Sequence, residues 1–223
     1  MAMNNTKTNR LDWTKVLTDE ARLTDVVVVD DLAAKYSLAP DSVSRAVSRL
    51  AKRGLLSRVS NGVYLNKLVR DASATDFLHI LNPNSYVSLE SALNHWGLST
   101  QSPVSLTCVT TGKPREYRTP ELAITLRSIS EHLFWGFIEK QTRYAKYRIA
   151  EAEKALLDWV YLTLQSGLAP HLDEIELRSL DKQKLVEYAT KYPGTVRKAL
   201  TNSLANGEAF SVSAAAAGGR VSS

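Results

Sequence analysis

The sequence predicts an α+β fold: an N-terminal winged helix-turn-helix followed by a mixed α/β C-terminal domain that ends in helices. Three observations predict it. The first 70 residues read in the order helix, strand, helix, tight turn, helix, hairpin. After Asn84 the periodicity changes to short alternating segments of the kind that form half-buried strands. Ala150 to Ser166 is a long amphipathic stretch, and two further helical segments follow it. The expected division is residues 1–70, 71–207 and a tail at 208–223.

Leu11 to Ala21 reads as a first helix, with Leu11, Trp13, Val16 and Leu17 on one side. Val26 to Val29 is a β-branched run, too short for a helix and suited to a strand. Asp30 or Asp31 is placed to cap a short helix carrying Leu32, Ala33 and Tyr36. Ser37 to Pro40 forms a tight connection, and Pro40 pre-sets φ for a second helix running to about Arg53. Val43, Ala46, Val47 and Leu50 recur at i, i+3, i+4, i+7 and face inward. Gly54 supplies the left-handed position that ends this helix. Two strands, Leu55 to Val59 and Val63 to Leu65, flank Ser60-Asn61-Gly62, and Asn-Gly is a strong hairpin signal.

In the second part, Asp71 to Asn84 reads as a connecting helix and turn, and Leu89 to Trp96 as a short helix stopped at Gly97. Strands are expected at Tyr86 to Ser88, Val104 to Thr110, around Leu122, Ile124 and Leu126, at Leu133 to Ile138 and at Tyr147 to Ile149. In the helix at Ala150 to Ser166 the inward stripe is Ala152, Ala155, Leu156, Trp159, Val160 and Thr163. Two helices follow at about Asp181 to Tyr192 and Thr195 to Leu204, split by Pro193-Gly194. The Ala/Gly/Ser-rich tail has too little apolar content to pack.

The composition is that of an ordinary globular chain, with 223 residues, 44% hydrophobic and 23% charged. No apolar run approaches the length of a membrane helix, and the polar Met1 to Arg10 is no secretory signal. The single cysteine, Cys108, excludes a disulfide framework and fits a small buried hydrophobe. A cytoplasmic location is expected.

The net charge of +5 is localised: 12 Lys and Arg face 7 Asp and Glu before residue 71, and 16 face 16 after it. Between Asp41 and Arg70 stand seven basic residues and one acid, Asp41 itself. Ser42, Ser44, Arg45, Ser48, Arg49 and Lys52 form the outer face of the second helix. Small hydroxyl residues allow close approach to the major groove, and arginine bridges phosphates or reads guanine edges. Lys52, Arg58, Asn61 and Lys67 are placed for phosphate or minor-groove contact through the wing. The expected partner is double-stranded DNA.

Catalytic chemistry finds no footing. His79, His95, His132 and His171 stand apart with no acid or cysteine at ligand spacing, so no metal is expected. No glycine-rich phosphate loop and no Gly-Ser nucleotidyltransferase opening occurs, and neither a cofactor nor an enzyme activity is expected. Glu151 and Glu153 offset the dipole of the long helix, and Lys154 with Asp158 reads as an i, i+4 pair. A second basic group, Lys113, Arg115, Arg118, Arg127, Lys140, Arg143, Lys146 and Arg148, faces only four glutamates. It fits either solvated sheet edges or one functional surface.

Three blocks resemble the AbiEi family, the antitoxins of bacterial AbiE-type toxin–antitoxin and phage-defence operons. They are Asp31-Leu32-Ala33 through Val43-Ser44-Arg45 to Arg53-Gly54-Leu55-Leu56 and Gly62-Val63-Tyr64, then Tyr86 to Leu93 with Trp96-Gly97-Leu98, and Ile149 to Asp158. The resemblance implies a two-domain antitoxin. Its N-terminal winged helix would repress its own promoter at inverted repeats of operator DNA. Its C-terminal domain would neutralise a co-encoded nucleotidyltransferase toxin, by direct or indirect means, through the basic group at Lys113 to Arg148. The reading from another class is a ligand-responsive winged-helix regulator without a toxin partner.

Overall fold

The computed structural model describes residues 11–19, 24–69 and 72–206. The expectations for Met1 to Arg10, the Ala21 end of the first helix, Arg70 and the tail at 208–223 lie outside the described residues. The chain is mixed α+β, with eight α-helices and two sheets among the described residues. It divides into two compact units. The first is Met1–Pro83 with Glu116–Ile124 and Gln141–Tyr147; the second is Asn84–Arg115, Thr125–Lys140 and Arg148–Ser223. The division is therefore not a single cut in the chain.

In the first unit, α1 (Trp13–Thr18) starts where Asp12 accepts hydrogen bonds from the amides of Thr14 and Lys15. It is shorter than the periodicity predicts because Asp12 caps it and leaves Leu11 outside. β1 (Val26–Val28) leads directly into α2 (Val29–Tyr36). Neither Asp30 nor Asp31 caps α2, contrary to expectation; both lie within its first turn, where they oppose the positive end of its dipole. Ser37, at φ 52, ends the helix in the left-handed region. α3 (Pro40–Lys52) follows with proline in its first turn and Val43, Ala46, Val47 and Leu50 buried.

β2 (Leu56–Ser60) and β3 (Val63–Asn66) form the hairpin around Asn61-Gly62. Their sheet has the order β1-β3-β2, antiparallel throughout, with a register shift between Arg58 and Ser60. Val27, Val29, Ala33, Val47, Leu50 and Tyr64 lie in one core that the inward stripe of α3 completes. A short 3-10 turn (Ala74–Phe77), held by a reciprocal Ser73–Asp76 cap, then leads into α4 (Leu78–Leu81).

The second unit opens with β4 (Ser85–Val87) and α5 (Leu89–His95). The bend between them places Leu89 at φ 56 although its side chain is buried. Along the chain β5 (Leu106–Thr110), β6 (Arg115–Arg118), β7 (Ala123–Ser128), β8 (Phe137–Gln141) and β9 (Lys146–Ala150) follow, with Glu116–Arg118 of β6 and the start of β9 counted in the first unit. The six-stranded sheet has the order β6-β7-β5-β4-β9-β8; β4 runs antiparallel to β5 and parallel to β9. The strand expected over Leu133 to Ile138 is divided. Glu131–Leu133 is a 3-10 turn, and Gly136 at φ 71 redirects the chain so that β8 starts at Phe137.

α6 (Ala152–Gln165) is the central helix of this unit, followed by α7 (Lys182–Ala189) and α8 (Gly194–Asn206). α6 is buried around most of its circumference: besides Ala155, Leu156 and Val160 it buries Glu153, Lys154, Leu157, Asp158, Tyr161 and Leu162. The expected inward stripe is therefore part of a wider buried surface that also takes in Lys154 and Asp158. Among the described residues no helix is long and apolar enough to cross a membrane.

Candidate nucleic-acid interface

The inward stripe of α3 dictates what the helix presents outward. With Val43, Ala46, Val47 and Leu50 in the core, Ser42, Arg45, Arg49 and Lys52 are exposed, and Ser44 and Ser48 are half-buried between them. Ser44, Arg45, Ser48, Arg49 and Lys52 line one shallow depression of about 270 Å3. The Arg45 guanidinium approaches the Ser42 hydroxyl at 3.5 Å. Among the described residues no carboxylate forms an ion pair with Arg45, Arg49 or Lys52. Among the described residues the charge of this face is uncompensated, and its small serines leave the helix backbone open to close approach.

The wing candidates separate into two kinds. Arg58 folds onto the hairpin turn, donating to the Ser60 carbonyl at 3.3 Å and to the Asn61 side-chain oxygen at 3.1 Å. Arg58 and Asn61 thus form one exposed unit at the tip of β2–β3. Lys67 is committed elsewhere: its ammonium lies 2.8 Å from Glu121, which also accepts from Ser57 at 2.8 Å. Those two hydrogen bonds hold the Glu121 carboxyl below its ordinary value. A lysine neutralised in this way attracts a phosphate less than a free one does.

The second basic group does not gather into one surface. Arg115 lies on β6, at one edge of the six-stranded sheet, whereas Lys140 lies on β8 at the other edge and Arg148 on the adjacent β9. Arg127, on β7, donates to the Ser166 hydroxyl at 2.8 Å and to the Leu162 carbonyl at 3.4 Å. It thereby ties down the C-terminal end of α6. Arg118 pairs with its strand neighbour Glu116 at 2.5 Å, and Lys113 is exposed in the turn before β6. Lys140 and Arg148 lie over the rings of Trp96 and Phe137, and Arg143 over that of Tyr144. Lys146, exposed on β9, completes the set.

The most heavily built polar cluster gathers around the i, i+4 pair of α6. Lys154 and Asp158 are both wholly buried and form an ion pair. The Lys154 ammonium also donates to the hydroxyls of Tyr86 at 2.9 Å and Tyr192 at 2.7 Å. Asp158 accepts from Tyr86 at 2.9 Å, Ser88 at 2.8 Å and Tyr192 at 2.6 Å. The rings of Tyr86, Trp135 and Tyr192 stand 5.3, 5.1 and 5.3 Å from the ammonium. Burial lowers the Lys154 pKa against the opposing pull of Asp158, and burial beside Asp158 raises those of both tyrosines.

Space for the lysine is made by Gly136. A Cβ there would sit 3.1 Å from the Lys154 Cγ, on a backbone already at φ 71. Nearer the start of α6, Glu151 accepts from Lys184 at 2.8 Å and from Tyr188 at 2.6 Å. Glu153 accepts from the Asp181 amide at 3.0 Å. The two glutamates therefore fasten α7 as well as facing the α6 dipole. Fully enclosed and saturated with partners, the Lys154 cluster has the character of a structural anchor. Among the described residues, no group of three or more His, Cys, Asp or Glu side chains is arranged to hold a metal ion.

Comparison with known proteins gives a fold and no more. No family model matches the chain, and no curated protein matches it. Among solved structures the chain is similar to the crystal structure of the Rv2827c protein from Mycobacterium tuberculosis, with a TM-score of 0.55 and 18% identity, over 85% of this chain and 74% of that one. The likeness is one of architecture. It is consistent with the mixed α+β character and carries no residue role across.

Proposed function

We propose that this chain is a DNA-binding repressor built on a winged helix-turn-helix, with α2 and α3 as the helix pair and β2–β3 as the wing. The observation that carries the proposal is the outer face of α3, where Arg45, Arg49 and Lys52 stand among serines with no carboxylate partner among the described residues. An exposed unpaired arginine is favoured when a polyanion supplies its counter-charge, and a helix of this width fits the major groove. Arg58 and Asn61 at the hairpin tip would reach the flanking backbone or minor groove. Lys67 contributes less in this reading, because Glu121 already neutralises it.

We further propose, from the AbiEi resemblance of the three sequence blocks, that the protein acts as the antitoxin of a co-encoded nucleotidyltransferase toxin. The basic residues along β8 and β9, Lys140 and Arg148 with their aromatic neighbours, are the part of the second basic group that supports a contact surface in this role.

Fluorescence anisotropy on the promoter fragment of its own reading frame tests the first part. Wild-type protein should bind with an affinity that falls with salt, by about 0.9 in the log–log slope for each phosphate neutralised. The Arg45→Ala, Arg49→Ala double variant should lose the shift while remaining folded. Equal binding by wild type and variant would reject the interface. For the second part, induction of the adjacent reading frame should arrest growth, and co-expression of this chain should restore it. Rescue by the DNA-binding variant would separate the two activities, whereas a harmless neighbour would remove the antitoxin role.

A further inference from the structure

The first unit contains a cavity of about 550 Å3 bounded by α1, β1, α2, the Ala74–Phe77 turn, α4 and the chain at Arg143–Ala145. That volume lies in the range of small-molecule sites. Its walls combine apolar side chains, Leu17, Val26, Leu32 and Ile80 among them, with polar and charged ones. Within it sit Asp25, which is wholly buried, and Asp76, which is nearly so. The two carboxylates differ in a way that decides the chemistry. Asp76 is satisfied: the Ser73 amide donates to one oxygen at 3.2 Å and the Thr142 hydroxyl to the other.

Asp25 is not. Among the described residues neither of its side-chain oxygens meets a hydrogen-bond donor in good geometry, and the buried hydroxyl of Tyr36, lining the same cavity, is also left unsatisfied. A buried polar group without a partner is uncommon in folded proteins, and a buried carboxylate without a cation is more costly still. Burial first, then proton sharing with the adjacent Asp76 carboxyl and repulsion from its charge, push the Asp25 pKa up to about 7. The other charged or titratable groups lining the cavity are the exposed Asp31 and Lys35 from α2, His79 from α4 and Arg143, and the half-buried Tyr144.

We infer that this cavity is a binding site for a small organic cation, a primary amine with an apolar body, whose ammonium group is anchored by Asp25. Among the described residues three such oxygens lack a donor, two on Asp25 and one on Tyr36, which matches in number the three N–H donors of an alkylammonium. Its hydrocarbon part would meet the valine and leucine walls. A divalent metal fits less well: it prefers about six oxygen ligands, and no cluster of three or more candidate ligand side chains occurs among the described residues. The site stands independently of the DNA-binding proposal, since none of its lining residues belongs to the outer face of α3.

The test is thermal unfolding of the full chain with benzylamine or putrescine, against their neutral isosteres benzyl alcohol and 1,4-butanediol. At about pH 8, where Asp25 is ionised and the amines are protonated, at least one amine should raise Tm by about 3 °C or more at roughly ten times its Kd. The isosteric alcohol should not. The advantage of amine over alcohol should shrink as Asp25 takes up its proton below about pH 7, and it should vanish in Asp25→Asn. Tyr36→Phe, which leaves the carboxylate in place, should weaken it and serves as the second variant if Asp25→Asn folds poorly. Equal shifts from amine and alcohol, an undiminished amine effect in Asp25→Asn, or stabilisation by Ca2+ or Mg2+ alone would each overturn the assignment.

Discussion

The outer face of α3 and the interior around Lys154 handle positive charge in opposite ways. On α3, Arg45, Arg49 and Lys52 are exposed and lack acidic partners among the described residues. Lys154 has no exposure and is enclosed by a carboxylate, two tyrosine hydroxyls and three aromatic rings. The physics of solvation separates the two. A cation in water costs little and stays available to a polyanion. A cation in the interior persists only when every donor is satisfied, and it is then unavailable to anything else. Charge that the fold leaves unpaired marks where a partner is expected, and charge that the fold encloses marks what holds the fold together.

The largest expected effect breaks the interior side of this contrast. Asp158→Ala strands the Lys154 ammonium and should cost about 3–5 kcal/mol, read by urea denaturation. Replacing both partners at once, Lys154→Met with Asp158→Leu, should cost clearly less, because no charge is left unpaired. Should the single variant prove as stable as wild type, the cluster would not be an anchor. Next comes the surface side. Arg45→Ala with Arg49→Ala should lower DNA affinity by about a hundredfold, from two charge-assisted contacts of about 1–3 kcal/mol each, read by anisotropy titration. Its stability should stay within about 0.5 kcal/mol of wild type for each substitution.

A smaller effect sharpens the interior case. Gly136→Ala places a methyl against the Lys154 stem and a non-glycine residue at φ 71, and should cost about 1–2 kcal/mol by thermal unfolding. The smallest effect concerns Lys67 and Glu121, an ion pair that is neither free nor buried. Lys67→Ala should cost less than about 1 kcal/mol, because solvent screens the pair. Its pH dependence has a definite sign. The Glu121 pKa is lower in the folded chain than in the unfolded one, so the stabilisation is present above the ordinary glutamate value. It is lost as pH falls through the depressed one. Unfolding curves followed from neutral to acid pH should therefore converge for wild type and Lys67→Ala.

How much of this was legible in the sequence depended on the range of the interaction. The α3 stripe of Val43, Ala46, Val47 and Leu50, the Pro40 start and the Asn61-Gly62 hairpin are local signals, and the structure forms those elements within a residue or two. Lys154 and Asp158 carry an equally local signal with two meanings. The same i, i+4 spacing describes a solvated pair or a buried one, and the difference lies in Tyr86, Trp135 and Tyr192, which are remote in sequence. β6 escaped notice because only Tyr117 of Arg-Glu-Tyr-Arg is buried, too few positions to alternate. The eight basic residues from Lys113 to Arg148 read as a possible patch because sequence order does not reveal that β6 and β8 are opposite edges. Nothing in the run Thr24-Asp25-Val26 indicates that Asp25 will be buried with no donor to its carboxyl among the described residues.

Leu89 carries the last consequence. Its left-handed backbone is unfavourable for a residue with a Cβ, and it follows directly on Ser88, whose hydroxyl is held by Asp158. Such a conformation relaxes once its neighbours stop enforcing it. Amide hydrogen exchange along Leu89–His95 should therefore respond to the state of Asp158: slow while Ser88 is held, and accelerated in Asp158→Ala ahead of the central strands β4 and β5. The bend at Leu89 is where this unit would begin to open.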